Sequence, residues 1–229
     1  MLVKEWMSKK VIALEVASTV QEALICLREH KISKLPIMNS GELVGIITER
    51  DLRRFWPSAA DTLAEIKSLL ELATRMDVGA IMAKAPITVP PDYTLQETAE
   101  ILLDHNISGC PVVDHDGKVV GMITRNDLFK AIVSQSGVRK KGFQFGFLME
   151  DRPGSLREVT DVVRRHGARV ASIMSSNQDV PEGFRHVSIV AFDIERDKLP
   201  QIKQELEQKC RILYVVDRRE NRREVYPNM

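Results

Sequence analysis

Short apolar runs alternate with amphipathic ones through residues 1–135. "VIAL" (11–14) and "PITV" (86–89) read as short strands. "TVQEALICLREH" (19–30) and "TLQETAEILLDH" (94–105) carry helical spacing. Each opens on Thr-x-x-Glu, Thr19 with Glu22 and Thr94 with Glu97, the signature of a capping box. "KLPIM" (34–38) and "GCPVV" (109–113) predict second strands, "NSGE" and "DHDG" turns, and "LVGIIT" (43–48) and "VVGMIT" (119–124) third strands. A helix is expected to follow around Asp51 and again around Asp127. Between the two sets, "AADTLAEIKSLLELATRM" (59–76) predicts a further helix, with Leu63, Ile66, Leu69, Leu70 and Ala73 on one face.

The two sets are one unit written twice. Sliding the chain by 75 residues matches 7–36 to 82–111 at 11 of 30 positions, among them Met7/Met82, His30/His105, Ser33/Ser108 and Pro36/Pro111. After one inserted residue, 41–52 matches 117–128 at 7 of 12, and "GIITERDL" answers "GMITRNDL". The unit is β-α-β-β-α. Each copy leaves apolar helix faces that a second copy would bury by stacking on it.

From residue 143 the pattern changes. "FQFGFLME" predicts a strand, "DRPG" (151–154) a turn, and "SLREVTDVVRRHG" a helix with Ser155 and Glu158 as capping box and Gly167 as C-cap. "ARVASIMSSN" and "FRHVSIVAFDI" predict strands, "KLPQIKQELEQKC" a helix, and "RILYVVD" (211–217) a last strand. The order β-α-β-β-α-β is that of the ferredoxin-like split βαβ. The polar, basic "SQSGVRKKG" (134–142) is expected to link this part to the repeat. "RRENRREV" (218–225) is expected to open a solvated charged tail running to 229.

The ordered motifs strand, T-x-QE helix, I-S-x-x-P, turn and G-h-h-T-x-x-D-L resemble the CBS domain, and the tandem resembles a Bateman module. The DRPGSL turn and the topology after it resemble an ACT domain. The whole arrangement resembles the CBS–ACT regulatory proteins of the acetoin-utilisation type. The expected fold class is therefore α+β: two stacked CBS units (1–77, with its helical tail, and 78–135) and a ferredoxin-like ACT unit (142–217).

Charge narrows the function. The 33 basic and 32 acidic residues leave a formal net charge of +1, and the basic residues are scattered. That balance argues against a nucleic-acid surface. No run of 18 apolar residues marks a membrane span, and the N-terminus lacks a signal-peptide core. Cys26, Cys110 and Cys210 lie far apart, as reduced thiols of a cytoplasmic protein would. His30 and His105 have no Cys or carboxylate at metal spacing, and "DHDGK" (114–118) is too short for a calcium loop, so no metal is expected.

Thr48-x-x-Asp51 and Thr124-x-x-Asp127 read first as helix caps. A carboxylate there also accepts two hydrogen bonds from a vicinal diol, and Gly45 and Gly121 on the preceding strand leave the backbone open to a ligand. The resemblance implies that Thr and Asp hold the ribose of an adenosine ligand (AMP, ADP, ATP or S-adenosylmethionine). It also implies that Ile32, Pro36, Ile107 and Pro111, with Ile12 and Ile87, line the adenine slot. The copies differ next to the Thr. Glu49-Arg50 in the first is unfavourable to phosphate, while Arg125-Asn126 in the second offers Arg125 as a partner. In the ACT part, Asp151, Pro153, Gly154 and Ser155 at the helix start, with Ser172 and Ile173 on the next strand, are expected to take an amino acid.

No GxSxG, P-loop, HExxH or Cys–His signature is present. The expected function is a non-catalytic homodimeric sensor coupling these small-molecule ligands to a regulated partner enzyme. The alternative is a dimeric adaptor with vestigial pockets.

Overall fold

Both Thr-x-x-Glu phrases start helices as reciprocal caps. The Glu22 amide donates to Thr19 Oγ1 at 3.2 Å and the Glu22 carboxylate accepts from the Thr19 amide at 2.7 Å. Thr94 and Glu97 repeat this at 3.2 and 2.8 Å. These caps satisfy amides that a helix start otherwise leaves without partners.

The computed structural model describes residues 1–55 and 62–227, excepting the side chains of Arg54, Leu63 and Glu65. Ala59, Ala60 and Asp61 of the predicted inter-repeat helix, the Leu63 side chain and residues 228–229 of the predicted tail lie outside that description. The chain divides into two units, Met1–Phe129 and Lys130–Met229. The first runs α1 (Val3–Trp6), β1 (Leu14–Glu15), α2 (Val20–His30), β2 (Lys34–Asn39), β3 (Glu42–Thr48), α3 (Glu49–Leu52), α4 (Leu63–Arg75), β4 (Ala83–Lys84), α5 (Leu95–Asp104), β5 (Gly109–Val113) and β6 (Val119–Thr124), and then enters α6 (Arg125–Gln135). The second holds β7 (Gly142–Glu150), α7 (Ser155–Arg165), β8 (Arg169–Ser176), β9 (Phe184–Phe192), α8 (Leu199–Glu207), β10 (Arg211–Asp217) and β11 (Arg222–Val225).

In the first unit, β2–β3 and β5–β6 are the two predicted hairpins. Ser40 and Gly41, both at positive φ, turn the first one tightly. The flanking strands are shorter than the apolar pattern suggests. "VIAL" contributes only Leu14 to a strand, and "PITV" only a single parallel bridge from Val89 to Val112. Pro86, Pro90 and Pro91 remove amide donors around that second segment.

The copies interlock rather than merely stack. β4, which leads the second copy, pairs with β3 of the first. Ser8, at the equivalent place ahead of the first copy, exchanges backbone bonds of 2.9 and 3.0 Å with Met122 on β6 of the second. Leu35, Ile37, Ile47 and Leu52 form a fully buried core with Val20 and Ala23 of α2. Ala73 of α4 joins that core, whereas Leu70, predicted for the same face, is 44% exposed.

The second unit is one antiparallel sheet in the order β11-β10-β7-β9-β8. Phe143, Phe145 and Phe147 alternate along β7 onto the face covered by α7 and α8, where they are fully buried among Val159, Val163, Ile202 and Leu206. His166, not Gly167, is the C-cap of α7, and Gly167 follows it as the left-handed residue at φ +81°. The linker is shorter than expected. α6 runs to Gln135, Ser136 is buried, and the Ser136 carbonyl accepts from Ser172 Oγ at 2.6 Å.

The segment read as a solvated tail is a strand. Arg222–Val225 pairs antiparallel with Tyr214–Asp217 and adds a fifth strand to the sheet, though its side chains stay exposed. Asp217 makes that turn. One carboxylate oxygen accepts from the Arg219 amide (2.8 Å) and the Glu220 amide (3.3 Å), the other from Arg196 (2.6 Å). Burial alone would raise its pKa, but these donors together hold the carboxyl below its usual value. A depressed carboxylate stabilises the fold above its unfolded pKa and loses that contribution as pH falls through the folded value. Asp217→Ala is expected to lower stability by about 1–2 kcal/mol at neutral pH, read by urea titration, and by less in acid.

Candidate functional site

Each Thr-x-x-Asp phrase sits where a hairpin strand turns into a helix. Thr48 donates its amide (2.8 Å) and its hydroxyl (2.7 Å) to Asp51 Oδ2, and Thr124 does the same to Asp127 Oδ2 at 3.0 and 2.6 Å. The residue after each Thr donates its amide to the serine of I-S-x-x-P: Glu49 to the Ser33 carbonyl (2.9 Å) and Arg125 to the Ser108 carbonyl (3.0 Å). The two motifs of each copy are thus tied together at one strand–helix corner. Fixing both carboxylates in this way makes each a preset acceptor for a diol.

Between the copies lies a residue that the sequence reading passed over. Lys34 opens β2 and is 6% exposed. Its equivalent in the second copy is Gly109, and the two face each other: a Cβ on Gly109 would stand 3.0 Å from Lys34 Nζ. The ammonium reaches across to the second copy and donates to Ser108 Oγ at 2.7 Å and the Gly109 carbonyl at 3.4 Å. Both acceptors adjoin the Thr124–Asp127 corner. Burial pushes the Lys34 pKa down; Cys110 opposes this in part, and the neighbouring Arg125 adds a smaller push downward. Arg125 Nε is itself buried with no hydrogen-bond partner among the described residues. Two cations therefore flank the second cap, and no ion pair with an acid is recorded for either among the described residues.

The other predicted residues divide. Pro36 and Pro111 are buried in their strands, and Ile12, Ile32, Ile87 and Ile107 are half-buried. Arg50 is exposed. Gly45 and Gly121 have a reason other than ligand access. A Cβ on Gly45 would lie 2.3 Å from Met82 Sδ, and one on Gly121 2.4 Å from Met7 Sδ. The interlocking segments lay a thioether over each glycine, so the space reserved for a ligand beside the strand is filled. His30 and His105 are exposed at helix ends, and no group of three or more His, Cys, Asp or Glu is arranged to hold a metal among the described residues. Burial raises the thiols of Cys110 to about 11 and Cys210 to about 12, which leaves them protonated and unreactive at neutral pH.

In the second unit the DRPG turn is built differently from the prediction. Gly154, at φ +88°, is the N-cap of α7, and Ser155 is the first helical residue, buried. Glu158 pairs with both terminal nitrogens of Arg152 at 2.8 and 3.0 Å instead of closing a box with Ser155. Ser155 Oγ accepts from Arg185 at 3.0 Å, and Asp151 lies 3.4 Å from Arg185 and accepts from Asn177 at 2.8 Å. Pro153 is exposed. Ser172 and Ile173 do not join this cluster. They line a separate recess with Ile132, Gln135, Ala171 and Met174. Asn177, just past the end of β8, is the residue that meets the turn, five residues beyond Ser172 or about 16 Å along the chain.

Known proteins match this arrangement piece by piece. The CBS domain family matches residues 3–58 and 78–134, and the ACT domain family matches 144–211. A CBS domain-containing protein of Dictyostelium discoideum is 36% identical over 58% of this chain and 91% of its own length. An inosine-5'-monophosphate dehydrogenase of Korarchaeum cryptofilum is 34% identical over 72% of this chain, which spans only 33% of that enzyme. The crystal structure of a CBS-pair protein from Arabidopsis thaliana superposes with a TM-score of 0.51 at 29% identity, over 58% of this chain and 94% of that one. The chain belongs to the CBS domain-containing proteins. Its particular form is a CBS pair followed by an ACT domain, an assembly of regulatory modules. No helix among the described residues is long and apolar enough to cross a membrane.

Proposed function

We propose that the CBS pair binds one phosphorylated adenosine nucleotide (AMP, ADP or ATP) at the Thr124–Asp127 corner, with Asp127 on the ribose and Lys34 and Arg125 on the phosphate. The observation that carries this reading is buried Lys34 beside half-buried Arg125, whose Nε is buried without a hydrogen-bond partner among the described residues. A buried cation without an acid is unfavourable, and two together are more so. A phosphate would relieve both, and Arg is suited to pair with it bidentately. The first corner lacks such a pair and carries Glu49. It suits an uncharged or cationic adenosine derivative, of which S-adenosylmethionine is one. Calorimetric titration of the full chain with AMP, adenosine and S-adenosylmethionine tests the assignment. AMP is expected to bind at least about tenfold tighter than adenosine, and equal affinities would refute it.

The site is expected to respond to pH in a stated direction. A bound phosphate raises the Lys34 pKa toward its ordinary value, so the complex holds more protons than the free protein. AMP affinity then falls as pH rises through the lowered Lys34 value. Calorimetry in buffers of differing ionisation heat, between about pH 7 and 10, should register proton uptake on binding.

The remaining reading is of a non-catalytic cytoplasmic homodimer. Its ACT unit takes an amino acid at Asp151, Pro153, Gly154 and Ser155, and nucleotide and amino acid each shift the affinity for the other and the action on a partner enzyme. Such coupling is reciprocal by thermodynamic necessity. The adaptor alternative draws support from the DRPG turn, whose Asp151, Ser155 and Glu158 already have protein partners. A rise in melting temperature with amino acids supports the sensor. No rise with any of them, together with retained nucleotide binding, supports an adaptor with a vestigial ACT pocket.

A further inference from the structure

The face of the second unit's sheet opposite α7 and α8 carries a polar cluster that neither ligand reading uses. Cross-strand pairing fixes which residues share that face. Tyr214, Gly146, Ser188 and Met174 form one row across β10, β7, β9 and β8, and His186 and Ser176 stand in the next. Gly146 has a structural reason. Its missing side chain admits the Tyr214 ring, which a Cβ would meet at 2.2 Å. Beside the ring lies a cavity of about 320 Å³ whose walls include Gly146, Met174, Ser176, His186, Ser188 and Tyr214.

The hydrogen bonds into this cavity all run one way. Arg218 donates to Gln144 Oε1, and a guanidinium can only donate, which orients the amide. Gln144 Nε2 then donates to Ser188 Oγ at 2.8 Å and more weakly to Tyr214 OH at 3.4 Å. Ser188 accepts, so its own proton is left to donate elsewhere. The Tyr214 hydroxyl has Ser188 Oγ at 3.4 Å as its nearest recorded acceptor. The chain of donors begins at a cation for which no acid partner is recorded among the described residues and whose Nε is buried without a partner. It ends at the cavity wall in Ser188, for whose proton no acceptor is recorded among the described residues, and in Tyr214, whose only recorded acceptor there is Ser188 Oγ at a long 3.4 Å. Each link polarises the next, so the acceptor favoured there is an anionic one.

We propose that this cavity binds a small organic carboxylate with an apolar body. The carboxylate oxygens take the Ser188 and Tyr214 hydroxyls in the field of Arg218, and the body lies against Met174 and the tyrosine ring. The site is distinct from the DRPG turn, whose Arg185 lies on the opposite face, paired across the sheet with Met149. It stands whether or not an amino acid binds at that turn.

The probes are 4-fluorobenzoate and its neutral counterpart 4-fluorobenzamide, followed by fluorine NMR against the full chain. The benzoate is expected to bind at least about tenfold tighter than the amide. Ser188→Ala should weaken it by about that factor, and Arg218→Met should remove the preference for the carboxylate. Ser188→Ala deletes one half-buried hydroxyl oxygen, so an unchanged melting curve will separate lost binding from lost fold. Equal binding of the two probes, or benzoate binding indifferent to both substitutions, would overturn the proposal.

Discussion

Asp127→Ala is expected to reduce AMP affinity by about a hundredfold, while Asp51→Ala changes it by less than about threefold. The asymmetry is the informative part, because each carboxylate takes the same pair of bonds from its threonine. Each takes an amide and a hydroxyl from its threonine within 3.0 Å. A ribose diol on a carboxylate makes two charge-assisted bonds, each contributing about 1.5 kcal/mol or more, and their loss is the hundredfold. What should differ is occupancy, set by the cations at the second corner and Glu49 at the first. Removing Asp127 also uncaps α6, so Asp127→Asn belongs beside it. Asparagine retains a side-chain acceptor for the cap and removes the charge. If Asp127→Asn restores the melting temperature but not AMP binding, the loss is one of ligand contact rather than of folding.

Lys34→Met is expected to move stability and binding in opposite directions. The ammonium is buried, its pKa is pushed down chiefly by that burial, and its partners are one hydroxyl and one distant carbonyl. A charge so placed is a liability to the empty protein. The sign follows from the lowered pKa. Below the folded value Lys34 is charged in both states and its cost is fully present; the cost is relieved as pH rises from there toward 10.5. Methionine is close in volume and uncharged. The unliganded variant is expected to melt about 2–4 °C higher at neutral pH, while its AMP affinity falls at least about tenfold and its adenosine affinity stays unchanged. Calorimetry and thermal melting on the same preparation read all three. A residue retained only for packing would lower the melting temperature on replacement and leave AMP and adenosine equally affected. The opposed pattern belongs to a strained binding group.

Much of the fold is local and therefore legible. The capping boxes at Thr19 and Thr94, the hairpins and the alternation along "FQFGFLME" depend on neighbours within a few residues, and the repeat doubles each signal. Where the reading fails, the deciding contact is distant. Gly45 and Gly121 invite a ligand only until Met82 and Met7 arrive from the other copy. Nothing local marks Lys34 as a site residue, because its partner Ser108 lies 74 residues on. One clue was available in the alignment of the repeats: a lysine in one copy faces a glycine in the other at an otherwise apolar strand, which breaks the symmetry of the pair. The charged run 218–225 misled because charge predicts a solvated tail, and its side chains from Arg219 on are indeed exposed. The pairing that makes it a strand is a backbone matter, organised by Asp217 at the turn. At the DRPG turn the glycine took the cap that Ser155 was expected to make, since a left-handed backbone is open to Gly154 at little cost.

On the proposed function, the duplicated module is asymmetric, with a single corner competent for phosphate and built from both copies. Stoichiometry tests it most directly. Calorimetric titration of the full chain with AMP should give one site per chain, with adenosine at least about tenfold weaker at that site. Two equivalent AMP sites per chain, or a single site that binds adenosine as tightly as AMP, would contradict it.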